Sequence, residues 1–305
     1  MLEAITTPEL QFLGIFKNSK VSGYFWLGLL NNGYIHGMAD EYGRATGNKI
    51  AFIYPDGETA LKGTFVDKYM KTAYEVKVET YTCNEFGILQ ATKFSKRMSG
   101  VQYSYNPCTN SSFGGKPTIS NDPYEIKYVE PKESNVGGGG SGIFAKHALH
   151  KGRIACFYSL FLYRHNDQLE LFHKNCSYNT SKSDHYRRQC SKYSLKIVTY
   201  HGTINLPPEL DHAHSLPTLG PKVNHHFKAN NSIYIETEHP VWGLIMGVVP
   251  TIDIAAGQEL YTYYNYEKLS SGVPQEFPND FPWYWEEKMK ADRETRLQVE
   301  ANSKS

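Results

Sequence analysis

Cysteine is scarce in this chain and poorly placed for cross-linking. Cys83, Cys108, Cys156, Cys176 and Cys190 are odd in number, widely scattered and never spaced as Cys-x-x-Cys, so neither a disulfide framework nor a zinc module is indicated. That usage fits a reducing compartment. No apolar run is long enough to span a bilayer, and the N-terminus lacks a basic, apolar and small-residue succession; a secreted or membrane-spanning chain is not expected. One-sided charge is missing as well. The 32 Lys and Arg against 31 Asp and Glu leave a net charge of +1, which argues against a general nucleic-acid binder and against recruitment to anionic lipid. His201, His212, His214, His225, His226 and His239 match no standard ligand spacing, so no metal is expected.

What is present is an ordinary globular composition, 305 residues with 40% hydrophobic and 21% charged, enough for two domains. Gly14, Gly37 and Gly63 recur at intervals of 23 and 26 residues amid aromatic and turn residues, a rhythm that suits successive β-hairpins side by side. Tyr54-Pro55-Asp56-Gly57 reads as a turn between strand-like runs at Ile50 to Ile53 and Ala60 to Val66. Residues 104–123, rich in Asn, Pro, Ser and Gly, read as a connector. Ile126 to Glu130 is strand-like. Gly137 to Gly142 taken alone resembles a flexible linker, and Gly152 to Tyr158 a turn followed by a strand.

The last third carries the chemistry. Asn224-His225-His226-Phe227 precedes a β-type run, Ser232 to Ile235, and then Leu260-Tyr261-Thr262-Tyr263-Tyr264-Asn265-Tyr266. On a strand Tyr264 and Tyr266 share one face. A primary amine between two phenols meets hydroxyls that accept its hydrogen bonds and ring faces that favour a cation. Such tyrosines are equally suited to packing; it is the Asn-His pair and the order of the pieces that favour a site.

In the order Asn-His-x-Phe, short strand, Gly-x-Glu-Leu and Tyr-x-Tyr, this segment resembles the closing half of a SET domain, the catalytic fold of protein-lysine methyltransferases. From about residue 12 to residue 288 the chain is similar to the branch that carries N-terminal MORN repeats and methylates histone H3. The matching stretches include Tyr54-Pro55-Asp56, Asp122-Pro123-Tyr124-Glu125, Gly142-Ile143-Phe144, Phe157-Tyr158, Lys222-Val223-Asn224-His225, Ile233-Tyr234 and Glu259-Leu260. The resemblance implies a mostly β protein. Residues 1–103 would form a MORN-like antiparallel sheet, 104–123 a connector, 124–268 a SET domain with its pseudoknot, and 269–305 a C-terminal segment with a helix and polar tail.

The same resemblance implies transfer of a methyl group from S-adenosylmethionine to a lysine ε-amine, with histone H3 monomethylation as the expected reaction and non-histone proteins as further substrates. Tyr264, Tyr158 and Tyr234 would be catalytic, and Tyr266 and Leu195 would line the lysine channel. Gly139, Gly140, Ser141, Gly142, Asn224, His225, Trp283 and Glu287 would bind the cofactor. A monomer is expected, acting on a histone tail or another lysine-containing protein in the nucleus, chromosome-associated, with the cytoplasm as a second location. Three positions depart from the branch. Pro221 stands where it has a His, Ser141 where it has an acidic residue, and Lys192, in Ser191-Lys192-Tyr193-Ser194-Leu195, where it has an Asn-Gly-Asn stretch. They keep open a second reading, a SET fold without turnover that binds basic peptides.

Overall fold

A computed structural model of the protein describes residues 2–6, 11–29, 32–83, 89–105, 121–136, 140–158, 161–164, 195–197, 202–205, 218–264 and, near the C-terminus, 289–291, 293, 294 and 296. The N-terminal part is one antiparallel sheet. Its strands are β1 (Leu2–Thr6), β2 (Gln11–Lys17), β3 (Lys20–Gly28), β4 (Tyr34–Met38), β5 (Gly47–Ile53), β6 (Thr59–Val66), β7 (Tyr69–Cys83), β8 (Leu89–Phe94) and β9 (Gln102–Tyr103). β1 to β8 lie in sequence order, and β9 pairs with β7.

The glycine rhythm has a structural meaning here, since Gly14, Gly37 and Gly63 fall on β2, β4 and β6, every second strand. At Gly63 a Cβ would stand 2.0 Å from the Thr72 carbonyl oxygen of β7, so the strands approach too closely for any side chain. The expected turn is present. Asp56 accepts from the backbone N–H groups of Glu58 and Thr59 at 3.0 and 2.8 Å, an Asx arrangement that fixes the β5–β6 connection.

A helix, α1 (Pro123–Tyr128), leads into the second part. This corrects the strand expected over Ile126 to Glu130. Asp122 caps the helix by accepting from the N–H groups of Tyr124 and Glu125, and proline occupies the first turn; cap and proline together outweigh the β-branched and aromatic residues that follow. The strand begins only at Val129.

In chain order the remaining strands are β10 (Val129–Glu133), β11 (Ser141–Ala145), β12 (Cys156–Tyr158), β13 (Phe161–Arg164), β14 (Leu195–Ile197), β15 (Gly202–Asn205), β16 (Asn224–His225), β17 (Ser232–His239), β18 (Gly243–Pro250) and β19 (Glu259–Thr262). Seven of them form a curled sheet in the order β10-β11-β19-β17-β18-β12, with β16 parallel to β19, while β13, β15 and β14 make a small separate sheet. The described residues near the C-terminus are helical. The chain is therefore mostly β, an N-terminal antiparallel sheet followed by a second β-fold with a C-terminal helix.

One core joins the two parts. Phe52, Tyr54, Leu61 and Phe65 of the first sheet pack in the same cluster as Tyr124, Phe157, Trp242 and Ile245, each large side chain contributing about 1.5–3 kcal/mol of burial. The other face of the first sheet is also covered around Ala51, Ile53, Ala60, Val76 and Val78. That double burial explains the unbroken apolar run Ile50 to Tyr54. A further cluster, including Ile143, Cys156, Val223, Val248 and Leu260, lies under the second sheet. No helix among the described residues is long and apolar enough to cross a membrane.

Candidate active site

Three pieces of the second sheet meet at β19. The hairpin from β10 to β11 closes through the Ser134 N–H and the Gly140 carbonyl at 2.8 Å, and Gly140 adopts φ +61°, a conformation that costs glycine little. β11 then pairs with β19. On the same strand β16 aligns Asn224 with Tyr261 and His225 with Thr262. Asn224 is thereby held beside the glycine turn, its Nδ2 donating to the Ser141 carbonyl and to Glu259 Oε1, each at 3.3 Å.

Glu259 was not singled out from the sequence as a site residue, yet it organises this corner. It is buried, and its carboxylate accepts from the Ser134 hydroxyl (2.6 Å), the Asn135 N–H (2.8 Å), Asn224 and the Tyr261 hydroxyl (2.7 Å). These donors satisfy the oxygens of the buried carboxylate. Gly142 makes room for it, because a Cβ there would stand 2.0 Å from Glu259 Oε1. The signal in the sequence was faint, since a Glu in Gly-x-Glu-Leu reads as an outward strand residue. Asn231 adds a second stitch, donating to the Glu259 carbonyl at 2.9 Å and accepting from the Tyr261 N–H at 2.8 Å.

Tyr264 lies against the same loop. Its hydroxyl donates to the Val223 carbonyl at 2.7 Å and its N–H to His225 Nδ1 at 3.0 Å. The strand expected to run through residue 266 stops at Thr262, because the Tyr264 N–H is taken by an imidazole and not by a neighbouring strand. His225 is buried among Phe227, Tyr263 and Tyr264. Burial pulls its pKa down to about 4, against a smaller raising contribution from the Thr262 backbone, so it is a neutral ring that accepts at Nδ1.

Tyr158 ends β12 and is 4% exposed. Its ring meets Tyr234 edge-to-face with centroids 5.6 Å apart. Burial raises the Tyr234 phenol well above its usual range, which keeps it protonated. Tyr158 also backs onto the segment that leads to Asn224, since a Cβ at Gly220 would lie 2.9 Å from Tyr158 Cβ. Tyr158 and Tyr264 thus flank the stretch from Gly220 to Asn224.

Of the residues expected at the site, Gly140, Ser141, Gly142, Asn224, His225, Tyr158, Tyr234 and Tyr264 lie in the described part; Asn224 meets Ser141 and Gly142, Tyr264 meets His225, and Tyr158 meets Tyr234. Gly139, Tyr266, Trp283 and Glu287 lie outside the described residues, as does Lys192. Leu195 is on β14, within the small separate sheet. Pro221 sits buried in a short 3-10 helix, Gly220–Lys222, whose first turn tolerates a residue without an N–H donor. Among the described residues no group of His, Cys, Asp and Glu could hold a metal ion.

Comparison with known proteins gives likenesses at the level of sequence. Residues 16–85 match the family described as histone H3 K4-specific methyltransferase SET7, N-terminal. Along 264 residues, 85% of its length, the chain is 27% identical to the histone-lysine N-methyltransferase SETD7 of Halocynthia roretzi, of which it covers 63%. The resemblance read from the motifs is thus borne out as a likeness to SETD7-type proteins, of which this chain spans about three-fifths. Solved structures that overlap it include a humanized mutant of the Chaetomium thermophilum Polycomb Repressive Complex 2, at 16% identity and a TM-score of 0.31 over 51% of this chain and 17% of that one. KRYPTONITE, in complex with mCHH DNA, an H3(1-15) peptide and SAH, overlaps at 14% identity and a TM-score of 0.29, over 48% of this chain and 25% of that one.

Proposed function

We propose that the protein is an S-adenosylmethionine-dependent protein-lysine N-methyltransferase, acting as a monomer on a histone tail or a similar lysine-bearing segment in the nucleus and adding a single methyl group. The observation that supports this best is the contact of Asn224 with the Ser141-Gly142 turn beside that of the Tyr264 hydroxyl with Val223, the residue before Asn224. The donor set suits the cofactor. Among the described residues, a Cβ added to Gly140 would meet nothing within 4 Å, next to Ser141, whose carbonyl accepts from Asn224. Asn224 commits its Nδ2 to Ser141 and Glu259, which leaves Oδ1 as the acceptor it offers an α-ammonium group.

When bound, S-adenosylmethionine supplies an electrophilic methyl group on a sulfonium. Gly139 to Gly142, Asn224 and His225 would hold it, with Trp283 and Glu287 closing over it. The lysine must arrive neutral, although an unperturbed ε-ammonium has a pKa of about 10.4; an apolar, tyrosine-lined passage lowers that value by desolvation. Tyr264, whose hydroxyl donates to the Val223 carbonyl, would orient or accept from the amine. Tyr158 and Tyr234 fix the nitrogen's direction and limit the room for further methyl groups, with Tyr266 and Leu195 completing the passage. The contribution is alignment, which an in-line displacement rewards strongly.

Calorimetry with S-adenosylmethionine tests the proposal. The wild type should bind, and Asn224→Ala should bind about tenfold or more weakly, the size expected for a hydrogen bond to a charged group. A wild type that binds lysine peptides but no cofactor would instead be a peptide-binding SET fold without turnover.

A further inference from the structure

Glu125 belongs to none of the groups above, and its side chain is 0% exposed. It lies in the first turn of α1, whose cap, Asp122, accepts the Tyr54 hydroxyl at 2.6 Å from the first sheet. The Glu125 carboxyl accepts the N–H of Phe157 and, at 3.1 Å, the N–H of Leu219. Those two amides sit on the two strands of chain that carry the proposed site. Phe157 immediately precedes Tyr158, and β12 is the last strand in its sheet's order, so a carboxyl takes the place of a neighbouring strand. Leu219 caps the 3-10 helix that delivers Val223 and Asn224.

The two segments are pressed together at this point, since a Cβ at Gly220 would lie 2.5 Å from the Phe157 carbonyl oxygen. A buried carboxyl is costly unless its hydrogen bonds are well made. Desolvation, reinforced by Asp122, raises the pKa of this one well above the carboxylate range. Leu or Met would fill the space with less penalty, yet neither could accept both amides.

We infer that Glu125 is a positioning residue for methyl transfer: by gripping Phe157 and Leu219 it fixes Tyr158 against the segment bearing Asn224. The first sheet, through Tyr54 and Asp122, then forms part of the frame of the active site. This rests on the methyltransferase reading above.

The test compares wild type, Glu125→Ala and Glu125→Asp as full-length chains, by amide hydrogen exchange and by steady-state methylation of a lysine peptide with product analysis. Glu125→Ala should lose protection at Phe157, Tyr158 and Leu219 while β5 to β7 stay protected. Its kcat should fall about tenfold or more with a smaller change in peptide KM, and dimethylated product should appear as Tyr158 loosens. A reduced folded fraction alone would lower the rate without altering the product. Should Glu125→Ala fail to fold, Glu125→Asp, which keeps the carboxyl group and withdraws it by a methylene, must show the same loosening and the same change of product. A wild type that transfers methyl groups, with both exchange and product unchanged in the folded variant, overturns this inference alone. A wild type that neither binds S-adenosylmethionine nor transfers a methyl group overturns the functional reading and this role with it.

Discussion

Single side chains in this protein act through what they have already been given to do. The Tyr264 hydroxyl donates its proton to Val223, and burial keeps the Tyr234 phenol protonated; under the proposed function Tyr264 would accept from the amine and Tyr234 would hydrogen-bond it. Tyr264→Phe should therefore lower kcat by about tenfold to a hundredfold with cofactor affinity unchanged. Tyr234→Phe should permit a second methyl group, read by mass spectrometry of the peptide. Unchanged rate and product in both variants would remove these hydroxyls from the mechanism. His225 offers a separate check through acid stability. Its unfolded imidazole titrates near 6.5 and its folded one at about 4, so across that window the unfolded chain takes up the proton first and acid favours unfolding. Asp122 works in the opposite sense, its folded carboxyl raised to about 6 mainly by burial, and only the difference from a variant isolates the histidine. As pH falls through the window, wild type should lose roughly 2 kcal/mol more stability than His225→Gln, after allowance for solvent screening. Parallel urea-unfolding curves for the two would contradict the assignment.

At the scale of elements, the sequence was most legible where local chemistry decides the outcome. Tyr54 to Gly57 reads as a turn because an Asp there can accept from amides two and three residues on, and Asp56 does so from Glu58 and Thr59. The spacing of Gly14, Gly37 and Gly63 was readable as a hairpin rhythm; a Cβ at Gly14 would meet the Phe12 ring, and at Gly37 and Gly63 the cause is close strand approach. That cause can be measured. Gly63→Ala would drive a Cβ into the backbone of Thr72 and Ala73 and should destabilise by about 3 kcal/mol. Gly100→Ala, where a Cβ meets nothing within 4 Å, should stay within about 0.5 kcal/mol of wild type. Equal thermal midpoints for the two would refute the packing explanation. Two elements were misjudged for reasons that lie outside local sequence. Helix α1 was hidden behind the strand-forming Ile126 and Tyr128 because Asp122 and Pro123, read as connector, are its cap and first turn. β19 ends early because His225, distant in sequence, takes the next free amide.

Across the whole molecule, the motifs fixed which segments meet, and tertiary contacts decided how they are held. Asn224, the glycine turn and Tyr264 were readable as a group because each belongs to a recognisable string of residues. Glu259 and Glu125 were not, since a buried carboxyl that serves only backbone and side-chain donors has no pattern along the chain. Both act between elements: Glu259 joins the glycine hairpin to β16 and β19, and Glu125 joins α1 to β12 and the approach to Asn224. The shared core of Phe52, Tyr54, Tyr124 and Phe157 makes the first sheet a support for the second, which accounts for a tyrosine of the N-terminal sheet anchoring the helix beside the proposed site. The central claim is that this framework carries methyl from a sulfonium to a lysine amine. Incubation with methyl-labelled S-adenosylmethionine and a panel of histones and lysine peptides measures it directly: label should appear on a lysine ε-nitrogen as monomethyl-lysine with wild type and be strongly reduced with Tyr264→Phe. No label on any lysine with wild type, under conditions in which the chain is folded, would contradict it.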